Sequence, residues 1–135
     1  MGTWADVRRL ALALPETTER VSRGNCQWRV RDKLFVWERP LRRSDLDALG
    51  DQAPTGPIVA ARVEHLVAKD AVIASDPGVF FTTPHFDGYA AVLARLDLLS
   101  GDDLEEFVTE GWLARAPSRR VEEFLSERDG RARRA

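Results

Sequence analysis

The sequence is poor in cysteine, methionine and tyrosine, with one of each in 135 residues. A lone Cys26 excludes an intrachain disulfide and any zinc site built from several cysteines, and it suits a reducing compartment. No apolar run approaches the ~18 residues of a membrane-spanning helix, so no membrane partner is expected. The opening residues Met1 to Asp6 lack the basic and apolar stretches of a secretory leader, and Asp6 breaks the myristoylation pattern that Met1-Gly2 begins. A cytoplasmic location is therefore expected. Also missing are the phosphate-cradling G-x-x-x-x-G-K-[ST], the dinucleotide-binding G-x-G-x-x-G and the G-x-S-x-G nucleophile elbow. Asp45-x-Asp47 with Gly50 begins like a calcium loop, but Leu49 at the fifth place and Gly56 at the twelfth do not supply the oxygen ligands. No cofactor and no metal site is expected.

What is present is an ordinary globular composition, 44% hydrophobic and 31% charged. The length suits one domain, placed over residues 1–127, followed by a polar basic tail over 128–135. The net charge is −2, which argues against a strongly basic nucleic-acid binder. That value hides an uneven distribution: residues 1–45 carry net +4, residues 46–118 net −8 and residues 119–135 net +2. If the two basic ends meet in the fold, one basic and one acidic face result.

Thr3-Trp4-Ala5-Asp6 has the form of a capping box, and Trp4, Val7, Leu10, Ala11 and Leu14 recur at helical spacing until Pro15 stops them. Gln27 to Arg31 alternates polar and apolar residues, and Lys33 to Glu38 is rich in β-formers, so Arg31-Asp32 reads as a hairpin turn. Residues 17–24 suggest an earlier strand. Residues 39–57 read as a long loop with a helical turn near Asp45–Leu49, and loops of that length are often functional. A strand follows over 58–63, a helix through Leu66 to Ile73, and strands over 79–83 and 90–96 joined by a turn at Asp87-Gly88. Ser100 and Asp103 open a further helix, and Val121, Phe124 and Leu125 mark a short last one. Sequential hairpins predict an α+β domain, an antiparallel sheet of five to six strands with helices packed on one face.

Candidate chemistry is sparse. His85-x-Asp87 pairs an imidazole with a carboxylate, but a metal or acid–base site needs further ligands or a matched base, and Asp87 has a local role in the turn. Cys26 lies near Arg23 and Arg29 without a cysteine-enzyme signature, which points to a structural thiol. Trp28 and Trp37 flank the basic hairpin of Arg29, Arg31 and Lys33, an arrangement that could stack single-stranded bases. Alternation instead turns Trp28 inward and leaves Arg29 and Arg31 in water, and Trp4 and Trp112 fall on apolar helical stripes. No catalytic constellation is recognised, and the chain reads as non-enzymatic.

Several segments resemble the MmcQ/YjbR family of small bacterial proteins: Ala11 to Glu19, Trp28 to Phe35, Asp76 to Tyr89, and Trp112 with Ala116-Pro117-Ser118-Arg119. Asp32 stands where the family usually has Gly, and Ser118 where it often has Lys, which removes a positive charge. The resemblance implies a double-wing, CyaY-like α+β fold, with helices against a curved antiparallel sheet, and weak or non-specific DNA binding. Carried onto this sequence, Arg29, Arg31, Lys33, Arg119 and Arg120 become the phosphate-contacting candidates. The distinctive loop of His85, Phe86, Asp87 and Tyr89 offers the alternative, a site for a small molecule or a partner protein. A monomer with DNA as partner is the leading expectation.

Overall fold

The computed structural model describes residues 2–134. Its order is α1 (Trp4–Leu12), β1 (Thr17–Ser22), β2 (Asn25–Val30), β3 (Lys33–Glu38), α2 (Arg43–Leu49), β4 (Ile58–Arg62), α3 (Leu66–Ser75), β5 (Phe80–Phe81), β6 (Ala91–Arg95), α4 (Gly101–Arg115) and α5 (Ser118–Arg134), with short 3-10 turns between. The six strands form one antiparallel sheet in the order β1-β2-β3-β4-β6-β5. The α+β architecture expected from the hairpin pattern is therefore present.

Local chemistry explains the first half of the chain. Thr3 accepts from the Asp6 backbone N–H at 3.2 Å while the Asp6 carboxylate receives the Thr3 N–H at 3.1 Å, so the capping box closes in both directions. Two tight turns then fold β1, β2 and β3 into a meander. Arg23 and Gly24 (φ 51° and 80°) link the first pair, and Arg31 and Asp32 (φ 46° and 67°) the second. Positive φ at both central residues marks type I′ turns, whose twist matches that of the strands they join.

The second half departs in detail from the sequence reading. The loop over 39–57 holds a full helix, α2. The strand expected over 79–83 shrinks to Phe80–Phe81, and its connection to β6 contains a 3-10 turn at Pro84–Phe86 rather than a tight reversal at Asp87-Gly88. The last helix runs on to Arg134, through most of the segment read as a polar tail.

The central strands are buried on both sides. Val59 and Ala61 of β4 and Val92 and Ala94 of β6 face the main core, with Val7, Leu104, Val108 and Trp112 from α1 and α4. Ile58, Ala60, Ala91 and Leu93 face a second, smaller core completed by Phe86, with Trp37, Leu41 and Phe81 packed against it. The main core joins the chain ends. Trp112 Nε1 donates to the Pro15 carbonyl at 2.9 Å across 97 residues, and its ring lies 5.0 Å from that of Phe124 on α5. Gly111 is required here, because a Cβ at that place would sit 2.8 Å from the Phe35 carbonyl oxygen. The missing side chain lets α4 lie directly on β3 and β4.

Candidate functional site

A bulge in β3 decides which side chains reach the side of the sheet away from the main core. Trp28 pairs with Val36 and Arg29 with Leu34, so Phe35 is an extra residue on its strand. Both Phe35 and Val36 consequently enter the main core. Alternation resumes one place late, which sends Trp37 to the opposite side, where its ring lies 6.4 Å from that of Phe86.

Two buried cations fix the loops around Trp37. The Arg39 guanidinium lies 5.2 Å above the Phe86 ring and 3.1 Å from the Asp45 carboxylate, with side-chain exposures of 7% and 2% for the ion pair. Burial opposes the charge on Asp45. The Arg42 backbone N–H, at 2.8 Å, and the Arg39 guanidinium outweigh it, and the carboxyl stays below the usual aspartate range. Lys69 of α3, only 5% exposed, donates from Nζ to the carbonyl oxygens of Phe86 at 2.8 Å and Tyr89 at 3.0 Å. Burial pushes its pKa down, and the nearby charges of Asp87 and Asp70 offset part of that shift.

Between these pinned loops and the β1–β2 turn lies an open groove of about 590 Å³. Trp37, Leu34 and Gln27 form its base, Arg23 and Asn25 one wall, and Arg42 and His85 the other. Arg23 and Arg42 are exposed, and neither has a carboxylate within ion-pair distance among the described residues. The groove therefore combines an apolar base and hydrogen-bonding amides with two cations that are unpaired among the described residues and one carboxylate, Glu38, whose Oε1 accepts from the Cys26 N–H at 3.1 Å.

The structure separates the five basic candidates. Arg29 lies on the groove side of the sheet, where it donates to the Gln27 side chain at 2.9 Å and the Asp32 carbonyl at 3.1 Å. Lys33 is exposed at the start of β3. Arg31 and Arg120 both approach Glu16, at 3.5 and 2.9 Å, while Glu123 lies 2.9 Å from Arg120 and 3.5 Å from Arg119. The two basic ends thus do lie side by side, but around shared carboxylates.

Of the loop candidates, His85 lines the groove and packs edge-on to Phe86 with ring centres 4.9 Å apart. Phe86 is buried and serves as an anchor, whereas Asp87 and Tyr89 are exposed. Cys26 is half-buried, and burial together with Glu38 and Glu19 pushes its thiol pKa up, away from thiolate chemistry. Sequence reasoning missed Arg39, Asp45 and Lys69 as the groups that shape the site. Their spacing carries no motif, and the only hint was a polar cluster next to aromatic residues. Among the described residues, no group of three or more His, Cys, Asp and Glu side chains is placed to hold a metal ion, and no helix is long and apolar enough to cross a membrane.

The chain is similar to known proteins over most of its length. A family model described as YjbR matches residues 12–114. Uncharacterized protein Rv2570 of Mycobacterium tuberculosis and Uncharacterized protein Mb2600 of Mycobacterium bovis are each 51% identical over 129 residues, covering 93% of this chain and 98% of theirs. No solved structure matches the chain.

Proposed function

The chain belongs to the YjbR family, and on that premise we propose that it is a non-enzymatic binding module that takes a small polar anion in the groove beside His85. The observation that carries this reading is the pairing of Arg23 and Arg42 across an aromatic base, both without a carboxylate partner among the described residues. A concave site of several hundred Å³ with a few convergent polar groups is the usual form of a small-molecule site. The wall carrying Arg42 and His85 is fixed by the buried Arg39–Asp45 pair and by Lys69, so the groove exists before a ligand arrives. Isothermal titration against a panel of nucleotides, sugar phosphates and dicarboxylates tests it. At least one anion should bind, and Arg23→Glu with Arg42→Glu should weaken that binding by about tenfold or more, the effect of reversing charges near a surface ligand. Silence across the panel, or binding indifferent to both variants, overturns the reading.

A second reading is weak DNA binding through the same side of the sheet. Its support is the position of Arg29 beside the groove, on the side that also presents Arg23 and Arg42. Phosphate contacts of this kind weaken steeply with salt. Fluorescence anisotropy should show affinity at ~50 mM salt that Arg29→Glu reduces, and absence of binding at ~100 μM protein rejects it.

A further inference from the structure

On the opposite side of the sheet from the groove, the main core opens to the surface between α3 and α4. The opening is a half-enclosed cavity of about 380 Å³, a volume that suits a small organic molecule. Its inner wall is apolar. Phe80 and Phe107 lie with ring centres 5.5 Å apart and are flanked by Val72, Val79 and Leu99. Its rim is acidic. Asp103, Glu106 and Glu110 follow one another at helical spacing along the edge of α4, and Asp76 faces them from the end of α3. Among the described residues no lysine, arginine or histidine lines the cavity, and Arg128 of α5 lines an adjoining hollow with Glu106 and Glu110. None of the four carboxylates joins an ion pair among the described residues.

Four carboxylates without an ion-pair partner among the described residues, set around an aromatic pocket, favour one chemistry. A neutral apolar ligand would leave their mutual repulsion in place, and an anion would add to it. A cation carried on an apolar body answers both the base and the rim, because the body covers Phe80 and Phe107 while the positive group sits among the carboxylates. We propose that this cavity is a binding site for an organic cation, a primary amine on an aromatic or aliphatic stem. The site is independent of the anion groove, since its lining belongs to the main core and the groove's to the other side of the sheet.

Three isosteric probes test the assignment by titration calorimetry: 4-phenylbutylamine, 4-phenylbutanol and 4-phenylbutyrate. The amine should bind about tenfold or more tightly than the alcohol, and the carboxylate more weakly than either. Glu106→Gln with Glu110→Gln should cut the amine's advantage over the alcohol severalfold, with Asp76 and Asp103 sustaining the remainder, while leaving alcohol binding unchanged. Val72→Phe, at a half-buried position, should fill the space and weaken amine and alcohol alike, with the circular-dichroism melt confirming that the variant folds. Equal affinity for amine and alcohol, or a preference unmoved by the double variant, overturns the proposal. So does the absence of binding up to about 10 mM, a Kd that corresponds to under about 3 kcal/mol of binding free energy. If the true occupant is instead the arginine-rich end of α5 from a second copy, sedimentation velocity will show self-association that the double variant abolishes and no amine binding, which also overturns it.

Discussion

Lys69 Nζ donates to the Phe86 carbonyl oxygen at 2.8 Å, and this buried contact holds the 84–89 loop against α3. Lys69→Met would remove the ammonium from that carbonyl and from the Tyr89 carbonyl, leaving each only its backbone donor (the Tyr89 and Ala91 N–H groups), at a cost of about 1–2 kcal/mol in chemical denaturation. The alkaline pH dependence has a defined sign. Because burial lowers the folded-state pKa, the unfolded chain holds the Lys69 proton to higher pH. The stability difference between wild type and Lys69→Met should therefore rise with pH between the depressed value and the ordinary lysine range.

Asp45 gives the opposite test at acid pH. Its folded pKa lies below the unfolded value, so its contribution is fully present above the ordinary aspartate range and is lost as pH falls through the depressed value. Asp45→Asn should remove that acid-sensitive component. It should also cost about 3–5 kcal/mol at neutral pH, because Arg39 is left as a buried, uncompensated cation. Adding Arg39→Met should recover part of the loss, and the double-mutant cycle measures the coupling.

Gly111→Ala ought to stabilise an isolated helix by about 1 kcal/mol. In this protein the new Cβ meets the Phe35 carbonyl oxygen at 2.8 Å, and a backbone oxygen in a paired strand has little room to retreat. The expected result is a net loss of about 1–3 kcal/mol by urea denaturation.

The Glu16 cluster should behave as a surface feature. Glu16→Gln releases Arg31 and Arg120 and should shift Tm by under about 2 °C, with the difference fading in molar salt. Binding of anions in the groove should not change, since the cluster lies apart from it.

Much of the fold was legible because it is written in local chemistry. The Thr3–Asp6 box, the Ser100 cap and the Arg31-Asp32 turn all rest on residues adjacent in sequence. The β3 bulge was not legible. Simple alternation puts Phe35 and Trp37 on one side, and only the pairing register reveals that the extra residue separates them. The same limit hid the groove, whose aromatic base depends on that displacement. Arg39 and Asp45 looked like loop polarity, since a buried ion pair has no periodicity to betray it. Arg119 and Arg120 looked like a free basic end, because the carboxylate of Glu16 that meets Arg120 comes from the other end of the chain.

The sheet ends differently at its two margins. β5 is two residues long, and β1 presents Thr17-Thr18-Glu19-Arg20-Val21-Ser22, in which Glu19 and Arg20 interrupt any apolar run. Neither margin is a good template for an incoming strand: one is too short to register, and the other carries charges that resist stacking. The six-stranded sheet is thereby protected from growing by edge-to-edge addition. This matters for a chain whose β4 and β6, with their Val, Ile, Leu and Ala runs, would aggregate readily if they were ever left at an edge.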